Sequence, residues 1–210
     1  MNSGKESCLL EISSYLSLLH ITEAMKNHTR HSLTSSGRHE SVAEHTFRLC
    51  LMAWFCQDEF PELDMEKVWL MCLFHDFGEA FTGDIPAFEK QHSDEKREET
   101  CLHHWLTTLP APYRDKLQQL YQEMQQKTTP EAKLYKALDK LEALIQHNEA
   151  GCATWLDLEY DLQLTYGQAE CQAFPYTQAL RRRVEEDSLA LMREEQERGT
   201  PWPKKLPPRT

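Results

Sequence analysis

Glycine and β-strand patterns are both scarce in this 210-residue sequence. It holds 7 glycines, and segments with the pattern of a strand are nearly absent. Apolar residues instead recur at the spacing of helical faces. We therefore predict an all-α fold, with helices at 6–27, 41–58, 64–77, 94–108, 111–126, 130–149 and 176–197. A chain of this length is most simply one domain with a substantial core.

Basic charge is also scarce. The chain has 34 acidic and 23 basic residues, a net charge of −11. Broad binding to nucleic acid or to anionic membranes needs a basic surface, so we expect neither partner. No apolar run approaches the length needed to cross a membrane. A small anionic substrate is compatible with this charge, because a local pocket can oppose the global sign.

The 7 cysteines are scattered and form no Cys-x-x-Cys pair. Most lie within apolar helical patterns, where a free cysteine behaves as a small hydrophobic residue. This usage indicates a reducing compartment. The first residues lack the basic-then-apolar arrangement of a signal peptide, so we expect a cytoplasmic protein.

The predicted domain covers residues 1–198, and a proline-rich basic tail covers 199–210. Two helix starts carry local signals: Ser41 with Glu44 forms a capping-box pattern, and Thr129 precedes a proline in the first turn. Residues 28–40 are polar and predict a loop. Because this loop is rich in arginine and hydroxyl groups, phosphate contacts are expected there.

The pair His75-Asp76 ends an apolar segment of the sequence. A histidine and an aspartate at adjacent positions can both reach one cation where a helix ends. His45 lies upstream and Asp139 downstream, which together make two imidazoles and two carboxylates. This set suits a borderline divalent metal.

The two histidines share a second property, because each lies on an apolar helix face. His45 shares its face with Leu49 and Met52, and His75 follows Cys72 by one turn. A single inward histidine is usually a hydrogen-bonded core residue. Two of them beside an otherwise unpaired carboxylate favour a metal, because a buried unpaired charge is costly.

The order of these motifs resembles the HD-domain metal-dependent phosphohydrolases, and within them the 5′-deoxynucleotidase branch. The matching stretches are residues 37–45, 75–86 and 137–142, and the likeness spans roughly residues 9–190 in element order. The most selective motif is His-Asp-x-x-Glu-x-x-Thr-Gly-Asp-x-Pro. The resemblance implies an HD-domain helical bundle and hydrolysis of deoxyribonucleoside 5′-monophosphates. It also implies one divalent metal ion, with Co, Mn, Mg, Zn, Fe and Ni not distinguished, and a homodimer.

The resemblance also assigns roles to residues around the metal. It makes His45, His75, Asp76 and Asp139 the ligands. Asp139 lies well off the apolar stripe of its helix, so periodicity alone would place it at the surface. Glu79 takes an acid–base role; otherwise it is a helix-start glutamate favoured by the helix dipole.

The resemblance also implies that three further residues bind the substrate. Arg30 and Arg38 would face the phosphate, and Asp84 would line the pocket near the sugar. The alternatives are solvated arginines and a turn-forming aspartate. The sequence departs from the bacterial enzymes at His31, where they commonly carry tryptophan, which puts substrate selectivity in doubt more than catalysis.

Two other functions remain open. A dinuclear-iron HD oxygenase that acts on an organophosphonate would need further histidine ligands. The available ones are His92, His103 and His104, and adjacent residues on a helix diverge by about 100°, so the last two cannot both face one ion. A non-catalytic nucleotide-binding protein is the other alternative, which the complete ligand set and Glu79 disfavour.

Overall fold

The computed structural model describes residues 11–199, which form ten helices and one small sheet. Residues 1–10, with the start of the first predicted helix, and 200–210, with most of the predicted tail, lie outside the described residues. The elements are α1 Ile12–Asn27, β1 Thr29–Leu33, β2 His39–Ser41, α2 Val42–Phe55, α3 Met65–Phe74, α4 Glu79–Thr82, α5 His92–Thr107, α6 Ala111–Gln126, α7 Pro130–Ala150, α8 Asp157–Thr165, α9 Gln168–Cys171 and α10 Pro175–Glu197.

The predicted capping residues begin their helices. The backbone N–H of Glu44 donates to Ser41 Oγ at 3.2 Å, and the Glu44 carboxylate accepts from the Ser41 backbone N–H at 2.8 Å. At α7, the side chain of Thr129 accepts from the N–H of Ala132 at 3.3 Å. Both satisfy backbone donors that a helix start leaves free, which is why these signals are visible in sequence.

The prediction of a loop at 28–40 is wrong in one respect, because most of this segment is a β-hairpin. β1 pairs antiparallel with β2, and Leu33 lies opposite His39. Gly37, with φ of +82°, turns the chain between them. The hairpin also bonds to a distant helix, since the Gln146 side chain donates to the Leu33 carbonyl at 2.7 Å. Such a contact leaves no local signal. The sequence prediction also missed α8 and the short helices α4 and α9.

Helix α7 lies at the centre of the fold and contacts α2, α3, α10 and β1. Its residues Leu134 and Leu138 are buried, and they pack in a core that also contains Leu49 of α2 and Met71 of α3. Burying one such side chain contributes about 1.5–3 kcal/mol. Because α2, α3 and α7 pack on one another, polar residues on their facing sides meet inside the protein.

Two findings bear on the environment of the chain. Among the described residues, no helix is both long and apolar enough to cross a membrane. The cysteines in residues 11–199 are all free thiols: Cys50, Cys56, Cys72, Cys101, Cys152 and Cys171.

Candidate metal centre

Three packed helices bring the predicted imidazoles together. His45 projects from α2, and His75 follows the last residue of α3. Their Nε2 atoms lie 3.1 Å apart. Asp139 reaches the same point from α7, with its Oδ1 3.3 Å from His45 Nε2 and 3.4 Å from His75 Nε2.

Asp76 completes the group, which we call the metal centre: His45, His75, Asp76 and Asp139. Asp76 Oδ2 lies 2.9 Å from His75 Nε2 and 3.7 Å from His45 Nε2. Ligands about 2.0–2.2 Å from one ion at tetrahedral angles lie about 3.4 Å from each other. The donor atoms of His45, His75 and Asp76 therefore converge as one group, and Asp139 Oδ1 lies within 3.4 Å of both imidazole nitrogens.

The orientation of the two imidazoles fits a cation. The Nδ1–H of His75 donates to the Cys72 carbonyl at 2.9 Å, and the Nδ1–H of His45 donates to Glu142. In the neutral tautomers both Nε2 atoms then carry lone pairs, and these point at each other and at two carboxylates. That arrangement is repulsive without a positive charge, and it is the usual orientation of metal-binding histidines.

The electrostatics of the metal centre also favour a bound cation. Burial disfavours the charged imidazolium of His75, but Asp76 and Asp139 outweigh burial and raise the pKa of His75 to about 10. Burial also disfavours the charged form of Asp139, yet Lys136 and the two histidines hold the pKa of that carboxyl well below its ordinary value. The site therefore keeps its carboxylates ionised and attracts cations.

Glu142 lies one turn after Asp139 on α7 and contacts the Nδ1 side of His45, away from the other residues of the metal centre. The sequence did not predict it as a site residue. It is fully buried, and its Oε1 accepts from Arg48 Nε at 2.6 Å while its Oε2 accepts from His45. Glu40 lies close to His45 and Glu142, and burial raises the pKa of Glu40 to about 7. The sequence signal for Glu142 is its spacing of three residues from Asp139.

A cavity of about 400 Å³ opens beside the metal centre and is partly lined by Asp76 and Asp139. Its wall carries many cations despite the acidic chain: Arg30, Lys90, Lys127, Lys136 and Lys140. The lysines were not predicted as site residues. Their presence agrees with the expectation that a local pocket can oppose the global charge.

Glu79 and Asp84 both line this cavity, as their predicted roles require. Glu79 is 5% exposed, and its Oε2 has no hydrogen-bond partner among the described residues. Burial and the charges of Asp76 and Asp84 raise the pKa of Glu79 to about 10. Burial also raises the pKa of Asp84, an effect that Arg30 opposes. Glu79 can therefore hold a proton near neutrality, which an acid–base residue needs.

The two arginines occupy different environments. Arg30 lines the cavity, with Nη1 3.4 Å from Asp76 Oδ2 and Nε 3.3 Å from Glu40 Oε2. The Arg38 side chain is 58% exposed and pairs with both carboxylate oxygens of Glu44, at 2.5 and 2.9 Å. The structure thus brings Arg30 to the site and leaves Arg38 outside the cavity. The phosphate role of Arg38 stays a prediction without support from this geometry.

A second cluster on the cavity, the histidine wall, consists of His31, His147 and Glu159. Glu159 Oε1 lies 3.2 Å from His31 Nε2 and 3.7 Å from His147 Nε2. The ring of Phe88 packs edge-on against His31, with centroids 5.5 Å apart. His31 therefore lies on the cavity.

The profile of the HD domain family matches residues 22–179, so the chain belongs to that family. The HD-domain helical fold is confirmed, and membership supports a divalent metal at the clustered histidines and carboxylates.

Three relatives carry the same functional name. The chain is 35% identical over 112 residues to 5′-deoxynucleotidase HDDC2 of Danio rerio, and 32% identical over 114 residues to that of Homo sapiens. These alignments cover 52% and 53% of this chain and 55% of each relative, so the chain spans about half the length of these curated relatives. The relative from Dictyostelium discoideum is 30% identical over 149 residues, 66% of this chain and 78% of that protein.

A solved structure shows the same fold. A crystal structure described as a predicted metal-dependent phosphohydrolase from Magnetospirillum magnetotacticum MS-1 superposes with a TM-score of 0.72 at 24% identity. The superposition covers 91% of this chain and 96% of that one.

Proposed function

We propose that this chain is a metal-dependent phosphomonoesterase that converts 2′-deoxyribonucleoside 5′-monophosphates to nucleoside and phosphate. One observation carries the proposal: Asp76 and Asp139 of the metal centre line one cavity of about 400 Å³ together with Glu79 and Arg30. The names of the similar proteins, all 5′-deoxynucleotidases, support the substrate class.

We assign the metal centre to one divalent ion, held by His45, His75, Asp76 and Asp139. An ion bound there supplies Lewis acidity toward the phosphoryl group and toward water. Phosphate monoesters are among the slowest bonds to hydrolyse unaided, so such assistance is appropriate.

The chain's own residues handle the phosphate and the protons. Arg30 would bind phosphoryl oxygens, since a guanidinium matches them with two parallel hydrogen bonds and stabilises their developing charge. In the reaction, the water oxygen bonds to phosphorus, the bond from phosphorus to the 5′-oxygen breaks, and that oxygen takes up a proton. Glu79, with its raised pKa, is the group that would transfer protons at this step.

The sugar preference depends on the other side of the cavity. Asp84 would accept a hydrogen bond from the 3′-hydroxyl, and a tight wall at C2′ would then exclude a ribose hydroxyl. A pocket that merely crowds an added hydroxyl discriminates by only about 10²-fold. Ribonucleotides should therefore be poor substrates rather than inert ones.

The experiment is phosphate release from metal-free protein supplied separately with Co²⁺, Mn²⁺, Mg²⁺, Zn²⁺, Fe²⁺ and Ni²⁺. The panel contains matched ribo- and deoxyribonucleoside 5′-monophosphates, with nucleoside 3′-phosphates as a control. We expect turnover of the deoxyribonucleoside 5′-monophosphates. No turnover of any member would refute the function, and equal kcat/KM for a matched pair would refute only the sugar preference.

Asp84→Ala tests the sugar contact within the same assay. We expect a lower kcat/KM with full metal content, because Asp84 touches the nucleotide and not the ion. Loss of metal in this variant would make Asp84 a ligand and would contradict the assignment of the centre.

The two alternatives have less support. Among residues 11–199, the second group of potential ligands is Glu40, His45 and Glu142, which shares His45 with the first. His92, His103 and His104 lie on exposed positions of α5. Two tightly bound irons per chain would nevertheless favour the oxygenase, whereas turnover of any nucleotide excludes a purely binding protein. The homodimer stays a prediction, which sedimentation would test.

A further inference from the structure

Lys136 connects the cavity to the metal centre. It lies one turn before Asp139 on α7, and its Nζ donates to Asp139 Oδ2 at 2.8 Å. The other oxygen of that carboxylate, Oδ1, faces the histidine nitrogens at 3.3 and 3.4 Å. The two oxygens of Asp139 therefore have separate partners, with the ligand cluster on one and an ammonium group on the other.

The Lys136 ammonium has donors to spare. Its side chain is 22% exposed and lines the cavity. An ammonium carries three N–H donors, and within the described part of the chain Nζ makes one hydrogen bond, to Asp139. A largely buried cation with unused donors is costly unless a ligand or water satisfies them. The cavity is where such a ligand would lie.

Arg30 pairs in the same way with Asp76, the other aspartate of the metal centre. Its Nη1 lies 3.4 Å from Asp76 Oδ2, and it lines the same cavity from β1 rather than from α7. Two cations from different elements thus each pair with one ligand carboxylate. Charged donors that approach from two directions suit the several oxygens of a phosphoryl group.

We propose that Lys136 is a phosphate-binding residue, which contacts the phosphoryl oxygens of the substrate together with Arg30. This inference rests on the proposed function, since it concerns the same cavity. Lys136 keeps its bond to Asp139 and directs its remaining N–H donors at the phosphate. It provides the second cation that Arg38, exposed and paired with Glu44, does not provide in this structure.

Lys140 is a matched control on the same helix and the same cavity. Its Nζ lies 4.0 Å from the centroid of the Tyr166 ring and donates to the hydroxyl of that tyrosine. Its one hydrogen bond within the described residues thus goes to Tyr166 and not to a carboxylate of the metal centre. Removing its charge alters the net charge of the cavity as much as removing that of Lys136.

The test compares Lys136→Met with Lys140→Met, with Lys136→Arg as the conservative variant. Inorganic phosphate is the probe, titrated by calorimetry into protein saturated with Co²⁺. The affinity of the metal-free protein for Co²⁺ is measured separately. We expect Lys136→Met to weaken phosphate binding by about 10–100-fold, the typical effect of losing a hydrogen bond to a charged group. Lys140→Met should change it by less than about 3-fold, the size of a neighbouring-charge effect. Lys136→Arg should recover part of the loss.

Two outcomes would overturn the inference. In the first, phosphate binding does not depend on Lys136, and Lys136→Met and Lys140→Met bind phosphate equally. Alternatively, Lys136→Met lowers Co²⁺ affinity while metal-saturated protein binds phosphate normally, and Lys136 then only positions Asp139. If Lys136→Met does not fold, Lys136→Gln replaces it with the same criteria. Lys136-dependent phosphate binding without nucleotide turnover would refute the proposed function and leave this inference intact.

Discussion

Two clusters on one cavity combine two imidazoles with carboxylates, but they differ in geometry. In the metal centre, the Nε2 atoms of His45 and His75 lie 3.1 Å apart. In the histidine wall, His31 and His147 approach Glu159 at 3.2 and 3.7 Å, and their ring centroids are 6.3 Å apart. Of these two clusters, only the metal centre supplies a group of converging ligand atoms within the described residues.

The carboxylates of the two clusters also have different tasks. Glu159 Oε2 accepts the backbone N–H of Leu156 at 2.7 Å, so this residue caps the start of α8. In the metal centre, a separate carboxylate, that of Glu142, accepts the hydrogen bond from His45 Nδ1. Asp76 and Asp139 therefore remain directed at the imidazole Nε2 atoms. The comparison teaches that the same residue types can form different geometries. What favours a bound metal in one cluster is the direction of the lone pairs and the number of free carboxylates.

The histidine pKa values express this difference. Burial lowers the pKa of His147, although Glu159 opposes the effect. Burial acts on His75 in the same direction, but two aspartates reverse the result and raise its pKa to about 10. At His147 the one carboxylate of Glu159 does not offset the effect of burial on the pKa, whereas at His75 two carboxylates do.

The largest expected effect is loss of the metal. His75→Ala and Asp139→Ala should each lose metal and activity together, because each removes a proposed ligand. His147→Ala is the matched control from the histidine wall and should keep the metal. Elemental analysis of purified variants measures the outcome. Full metal content with normal turnover in His75→Ala would end the assignment, and loss of metal in His147→Ala would erase the distinction between the clusters.

The next effect concerns catalysis without metal loss. Glu79→Gln should retain the metal and lose most of kcat, since loss of a general acid–base residue typically costs about 10²–10⁴-fold. Steady-state kinetics with metal analysis of the same sample test this. Normal turnover would make Glu79 a helix-start residue only.

The same variant should change the pH dependence of stability. In the folded metal-free protein the pKa of Glu79 is about 10, against an ordinary value of 4.5. The unfolded chain releases this proton at lower pH than the folded chain, so the contribution of Glu79 to stability falls as pH rises above 4.5. Glutamine has no proton to release. The stability of Glu79→Gln relative to wild type should therefore increase between pH 5 and pH 9 in urea unfolding, and a constant difference would contradict the raised pKa.

A smaller effect on metal affinity is expected from Glu142, which contacts His45 but is not a proposed ligand. Glu142→Gln should weaken Co²⁺ affinity by about 10–100-fold, the usual range for a partner that orients a ligating histidine. Glu159→Gln is the corresponding change in the histidine wall, and it should leave Co²⁺ affinity unchanged. Titration of metal-free protein distinguishes them. Equal affinities for both variants would show that the contact of Glu142 with His45 does not orient the ligand.

The smallest effect is expected at Arg38, which this structure places outside both clusters. Arg38→Ala should change kcat/KM by less than about 3-fold and should hardly change stability, because an exposed ion pair contributes little. Arg38 and Ser41 lower the pKa of Glu44 to about 2, so that contribution is present above pH 4.5 and is lost as pH falls toward 2. A 100-fold loss of kcat/KM would restore the phosphate role that the sequence predicts for Arg38.

Patterns among residues close in sequence determined many of the helices and helix starts of this protein. Helical periodicity predicted the long helices, and the caps at Ser41 and Thr129 lie within three residues of the groups they bind. The inward direction of His45 also followed from periodicity, and that residue is fully buried. These features depend on neighbours one helical turn away, which is why sequence reasoning reached them.

Tertiary packing decided the rest, because its partners are distant in sequence. Asp139 lies off its apolar stripe, and it is buried only because α7 packs against α2 and α3. Glu142 bonds to His45 across 97 residues, a contact that no periodicity encodes. Lys136 on the cavity and Arg38 outside it are likewise results of how the elements pack. A motif names the chemical groups, and only the packing of the helices determines which of them point at one another.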